Sequence, residues 1–152
     1  MLFLVRHAEA VDETRVLHDA ERHLTAVGRA AALALGERLS WYDCAPIAVW
    51  TSPLARAVQT AELLIVGLRW TGLVECIPAL APGGATRDVV ALLEKIGGPV
   101  IAIGHEPGLS AIGAVITGRA DFPALKKSQV ARVETGRLKW LLSPGDERPQ
   151  KP

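Results

Sequence analysis

Apolar and polar positions alternate along this chain in two periods. Residues 2–5, 46–50 and 99–103 are short continuous apolar runs, the pattern of strands buried on both faces. Residues 73–77 form a weaker fourth run. Helical spacing fills the intervals. Thr25 is placed to cap a helix carrying Val27, Ala30, Ala31, Ala34 and Leu35 and running to about residue 39. Ser52 followed by Pro53 has the form of a cap with proline at the first helical position, ahead of the stripe Leu54, Val58, Ala61, Leu64 and Ile65. Residues 86–96 predict a further helix, and residues 109–116 another, ended by Gly118. Residues 129–134 and 137–142 flank Thr135-Gly136 as a hairpin. The polar, proline-bearing residues 143–152 are expected to fray.

Strands alternating with helices predict an α/β layer fold with a largely parallel sheet and right-handed crossovers. There is no linker or repeat, and 152 residues favour one domain, over 1–142, with 143–152 as a tail. Composition agrees. Hydrophobic residues make up 49% and charged ones 22%, which excludes a disordered or coiled-coil chain. The net charge of +1, without a basic stripe, gives no reason to expect nucleic acid or an anionic membrane as partner. No apolar run approaches the ~20 residues of a membrane span, and the apolar start is cut at Arg6 and His7. The expectation is a soluble, cytoplasmic protein. Cys44 and Cys76 match no zinc or redox spacing and read as two reduced thiols.

Folds of this class place ligands beyond the carboxyl ends of their strands. The first run leads into Arg6-His7, the second into Thr51-Ser52-Pro53 with Arg56 on the next turn, and the third into Gly104-His105-Glu106. In a parallel sheet these three ends share one rim. Two guanidinium forks beside a helix N-terminus suit the oxygens of a phosphoryl group. A histidine there becomes a nucleophile toward phosphorus if a main-chain carbonyl holds its other nitrogen. The reading is phosphoryl transfer through a phosphohistidine. His7, His18, His23 and His105 form no HxH or HExxH pair, and no phosphate-cradling glycine motif is present, so no metal or cofactor is expected.

The residues also carry a family resemblance. Leu4-Val5-Arg6-His7-Ala8-Glu9 resembles the first signature of the histidine phosphatase superfamily, which includes the phosphoglycerate mutases, with Ala8 where glycine is usual. The segment Thr51-Ser52-Pro53-Leu54-Ala55-Arg56-Ala57-Val58-Gln59-Thr60-Ala61 resembles the second signature, and Ile103-Gly104-His105-Glu106-Pro107 the third. With Leu24-Thr25-Ala26-Val27-Gly28 the resemblance spans roughly residues 1–117. The short length and the run Asp19-x-x-Arg22-x-Leu24-Thr25 resemble the small bacterial phosphohistidine phosphatases of the SixA type. The resemblance implies a metal-free, phosphoglycerate mutase-like three-layer sandwich with helices on both faces of the sheet. It implies His7 as nucleophile, with Arg6, Arg56 and His105 on the phosphoryl group, and Arg22 and Ser52 are candidate substrate-binding residues. The mutases' mid-chain acid has no counterpart between Glu75 and Asp88. A sugar-phosphate leaving group needs such an acid, whereas an imidazole leaves more easily. Glu106 and Glu9, beside the motifs, are the candidate acids. The expected substrate is therefore a phosphohistidine on another protein. A small phosphate ester, or a pocket that binds phospho-ligands without turnover, is the alternative.

Overall fold

A computed structural model describes residues 1–152. Its strands are β1 (Leu2–Arg6), β2 (Ala48–Thr51), β3 (Val74–Cys76), β4 (Val100–Gly104), β5 (Val130–Glu134) and β6 (Arg137–Leu142). Its helices are α1 (Ala26–Leu39), α2 (Ala55–Leu68), α3 (Thr86–Ile96) and α4 (Gly108–Thr117). The six strands form one sheet in the order β3-β2-β4-β1-β5-β6. The first four are parallel, and β5 and β6 join as an antiparallel hairpin on the β1 edge.

The period of two in each apolar run divides the core. Leu2 and Leu4 of β1, with Val100 and Ala102 of β4, face a cluster holding Val89 of α3 and Leu109 and Ile112 of α4. Phe3 and Val5, with Ile101 and Ile103, face Leu35 and Leu39 of α1 and Ala57, Ala61 and Leu64 of α2. Because both faces of β1 and β4 are covered, their sequences are continuously apolar instead of alternating. The α1–α2 contact is close: a Cβ at Gly36 would run into the Leu64 carbonyl oxygen. The architecture is the expected three-layer sandwich.

Two local expectations are corrected. Helix α2 starts at Ala55 behind Leu54, so Pro53 lies outside the helix and Ser52 does not cap it. Ser52 N–H still donates to the Ile103 carbonyl, so strand pairing extends one residue beyond β2 and delays the helix. The C-terminal segment does not fray. Leu141 and Gln150 exchange two main-chain hydrogen bonds, of 2.9 and 2.8 Å, which pair the tail with β6. By contrast Thr25 caps α1 as read, its hydroxyl accepting from Gly28 N–H.

Candidate active site

The ends of β1, β2 and β4 meet at one rim because the three strands run parallel and in register, with Arg6 opposite Gly104 and Thr51 opposite Ile103. The main chain leaving β1 is held on both sides. His7 N–H donates to the Gly104 carbonyl, and Ala8 N–H donates to Thr60 Oγ1 at 3.0 Å. Thr60, one helical turn after Arg56, in turn donates to the Arg56 carbonyl.

His7 is buried at this point, and its two nitrogens have partners of opposite kind. Nδ1 lies 2.7 Å from the Ala8 carbonyl oxygen, which can only accept. Nε2 lies 3.3 Å from Arg56 Nε–H, which can only donate. The proton therefore sits on Nδ1 and the lone pair on Nε2. Burial pushes the imidazole down to about 4; the Ala8 carbonyl opposes this, and the charges of Arg56, Arg6 and Lys127 reinforce it. The ring is neutral at ordinary pH, as a nucleophile must be.

His105 follows β4, with its ring centroid 4.9 Å from that of His7. Its Nε2 lies 2.8 Å from Ser52 Oγ, and its Nδ1 is buried without a partner. Burial lowers it to about 3, helped by the His7 ring, Arg56 and Arg6 against the pull of Asp19. Arg56 is almost fully buried and its one ion-pair partner is Asp19, whose side chain is 44% exposed. Nη2 donates to Asp19 Oδ2 at 3.0 Å and Nη1 to the Asp19 carbonyl at 2.6 Å. Arg6 donates from Nη1 to the Leu125 carbonyl at 2.8 Å, and its buried Nε–H has no partner. Two cationic forks and two neutral imidazoles thus converge on one small volume, a setting matched to a group with several anionic oxygens.

The comparisons with known proteins bear on that geometry. The model of the histidine phosphatase superfamily, branch 1, matches residues 2–79. The chain belongs to this superfamily. An uncharacterized protein of Picosynechococcus sp. is 30% identical over 112 residues, covering 71% of this chain and 67% of that protein. Among solved structures, the protein histidine phosphatase SixA complexed with tungstate matches at a TM-score of 0.86 and 26% identity, over 94% of this chain and 96% of that one. The putative phosphohistidine phosphatase SixA from Agrobacterium tumefaciens matches at 0.81 and 21%, over 94% and 97%. A mutant phosphoserine phosphatase from Entamoeba histolytica, in complex with phosphoserine, shares the fold at 0.69 and 12% identity, over 95% and 97%.

The remaining candidates sit around the two histidines. Ser52 is fully buried and touches His105, where it orients a ring. Arg22 donates to the Val11 carbonyl at 2.7 Å and to Asp19 Oδ1 at 2.9 Å; both contacts brace the loop between β1 and α1. Glu106 is engaged as an acceptor at both oxygens, from Ser110 N–H and hydroxyl and from Leu125 N–H at 2.8 Å. A proton donor would have to break that set, so the geometry opposes the expected acid role. Exposed Glu9 accepts from the Thr25 hydroxyl at 2.7 Å, beside the α1 cap. Both carboxylates are fasteners in this structure.

The sequence assigns no role to Asp19 or Leu125. Asp-x-x-Arg at 19 and 22 signals a local ion pair on a turn, and that pair exists. Nothing local points from Asp19 to Arg56, 37 residues away. Leu125 acts through its peptide, receiving Arg6 at its carbonyl and giving its N–H to Glu106. A side-chain motif carries no trace of that. Thr60, four residues after Arg56, was within reach of helical spacing.

Proposed function

We propose that the protein is a phosphatase that works through a phospho-His7 intermediate and removes the phosphoryl group from phosphohistidine on a protein. The observation that carries this reading is the double assignment of the His7 tautomer, by the Ala8 carbonyl on one side and Arg56 Nε–H on the other. It leaves a lone pair on a neutral, buried nitrogen beside a guanidinium.

In the first step His7 Nε2 attacks phosphorus in line, and the bond to the leaving group breaks. The leaving nitrogen takes a proton from solvent. Arg6, Arg56 and His105 hold the equatorial oxygens, and the unpartnered Arg6 Nε–H is a donor available to one of them. In the second step water attacks the phosphorus, phosphate leaves, and His7 regains its lone pair. The Ala8 carbonyl stabilises the positive ring of the phosphorylated state through Nδ1–H.

Support for an imidazole leaving group is chemical. No carboxylate stands in the mid-chain segment, and those of Glu106 and Glu9 are occupied. A group that leaves without enzymatic protonation suits such a site. The likeness to SixA supports the same substrate class. The test is a comparison of kcat/KM on a phosphohistidine-bearing protein, an aryl phosphate and an alkyl phosphate. The phosphohistidine protein and the aryl phosphate should turn over and the alkyl phosphate should lag. Preference for the alkyl ester would favour a small-molecule phosphatase, and tight binding without turnover a binding module.

A further inference from the structure

Arg56 has five N–H bonds arranged on a planar fork with two usable edges. The end-on edge, Nη1 and Nη2, is taken by Asp19, through its main-chain carbonyl at 2.6 Å and its Oδ2 at 3.0 Å. The side-on edge, Nε and the second hydrogen of Nη2, is turned to His7, with Nε 3.3 Å from the nucleophilic nitrogen. Asp19 is itself held: its Oδ1 receives Arg22 Nη1, and Arg22 Nε is tied to the Val11 carbonyl. Val11 belongs to the bridged segment in which its N–H donates to the His23 carbonyl. A chain of single contacts therefore runs from the main chain near residue 11 to the edge of Arg56 that faces His7.

We propose that Asp19 is a positioning residue: it grips the end-on edge of Arg56 so that the side-on edge is presented to the phosphoryl group at His7. The inference rests on Arg56 being a phosphoryl clamp, as the function proposed above requires. A competing anion would have to occupy the same edge that the substrate needs, and Asp19 occupies the other one. The guanidinium is almost fully buried, so without the Asp19 carboxylate the end-on hydrogen of Nη2 would lack its acceptor, and the main-chain carbonyl on Nη1 alone would leave the fork free to turn. Preorganised donors stabilise developing charge without reorganising during the reaction, and Asp19 supplies that preorganisation from outside the phosphoryl site.

The experiment is a double-mutant cycle between Asp19→Ala and Arg56→Ala, with Asp19→Asn as the conservative variant. Two readouts are used: the affinity for tungstate, an oxyanion already seen bound to SixA, and kcat/KM on an aryl phosphate. Asp19→Ala should weaken both about tenfold in the parent and not at all in the Arg56→Ala background, because the two residues act as one unit. Asp19→Asn keeps one acceptor oxygen where Arg56 and Arg22 each need one, so it should lose about threefold in the parent and nothing in the Arg56→Ala background, which decides the matter if the alanine variant folds poorly. An equal loss in the Arg56→Ala background overturns the proposal, as does tungstate binding that stays unchanged or tightens in Asp19→Ala. If Arg56→Ala itself leaves tungstate affinity intact, the clamp reading fails and takes the proposal with it. If Arg56→Ala weakens binding and Asp19→Ala does not, the proposal alone fails.

Discussion

The ends of β1 and β4 carry the same residue type in nearly the same place, yet the two imidazoles are wired differently. His7 stands between a carbonyl that can only accept and an Nε–H that can only donate, so one tautomer survives. His105 pairs with the Ser52 hydroxyl, which can give or take a proton, and its other nitrogen has no partner. The first arrangement commits a lone pair in one direction, as attack on phosphorus requires. The second leaves a ring free to donate to a phosphoryl oxygen or to accept from a nearby hydroxyl. Two histidines on one rim can thus be told apart by the hydrogen-bonding capacity of their neighbours, with no reference to their own identity.

The comparison breaks most visibly at His7. His7→Ala should lower kcat/KM on an aryl phosphate by at least about 10³-fold, since His105, the other imidazole on the rim, has no neighbour that fixes it in an attacking tautomer. His105→Ala should cost less, about 10²-fold, as the loss of one phosphoryl donor. Steady-state kinetics of the two variants side by side is the check, and equal losses would erase the distinction drawn here.

Arg56→Lys tests the edge that faces His7. Lysine keeps the charge and loses the planar fork, so kcat should fall by about 10²-fold with little change in KM. A rise in KM at constant kcat would show that the residue docks substrate without acting on the transition state.

Much of this arrangement was legible in the chain itself. Continuous apolar runs marked β1, β2 and β4, because a strand covered on both faces cannot alternate, and the residues after each run meet on one rim. Four parallel strands turned that list into a constellation. The start of α2 was not legible, since Ser52-Pro53 carries the local signature of a cap while Ser52 N–H is claimed by Ile103 across the sheet. The pairing of the tail is hidden for a related reason: polar composition says nothing about an edge strand offering its main chain to Gln150. The carboxylates were hardest. Glu106 and Glu9 stand beside the signature motifs, and adjacency in sequence does not reveal that Leu125 N–H or the Thr25 hydroxyl already bonds to them.

Acid titration sharpens the account. Burial holds His7 at about 4 and His105 at about 3 in the folded chain, below the ~6.5 of an unfolded histidine. Under acid the unfolded chain binds more protons than the folded one. The stability these neutral rings confer is therefore complete above about pH 6.5 and declines as pH falls toward the folded values. Thermal melting followed downward from neutral pH should fall more steeply for the parent than for His7→Ala. Parallel curves would mean that His7 is not held neutral by the fold.

Glu106→Gln should have the smallest effect. Its carboxylate fastens Leu125 and Ser110, so any loss should be within about tenfold and equal for alkyl and aryl phosphates, with a lowered Tm. A loss that grows with the basicity of the leaving group would restore a proton-donating role.

The central claim is a covalent bond between phosphorus and His7 Nε2. It is tested most directly by quenching the enzyme during turnover of an aryl phosphate and locating the phosphoryl group by peptide mapping under alkaline conditions, which preserve phosphohistidine. A single phosphoryl group on the peptide holding His7, absent from His7→Ala, is the predicted result. Turnover with no trapped phosphoryl group, or a phosphoryl group on His105 in its place, would contradict it.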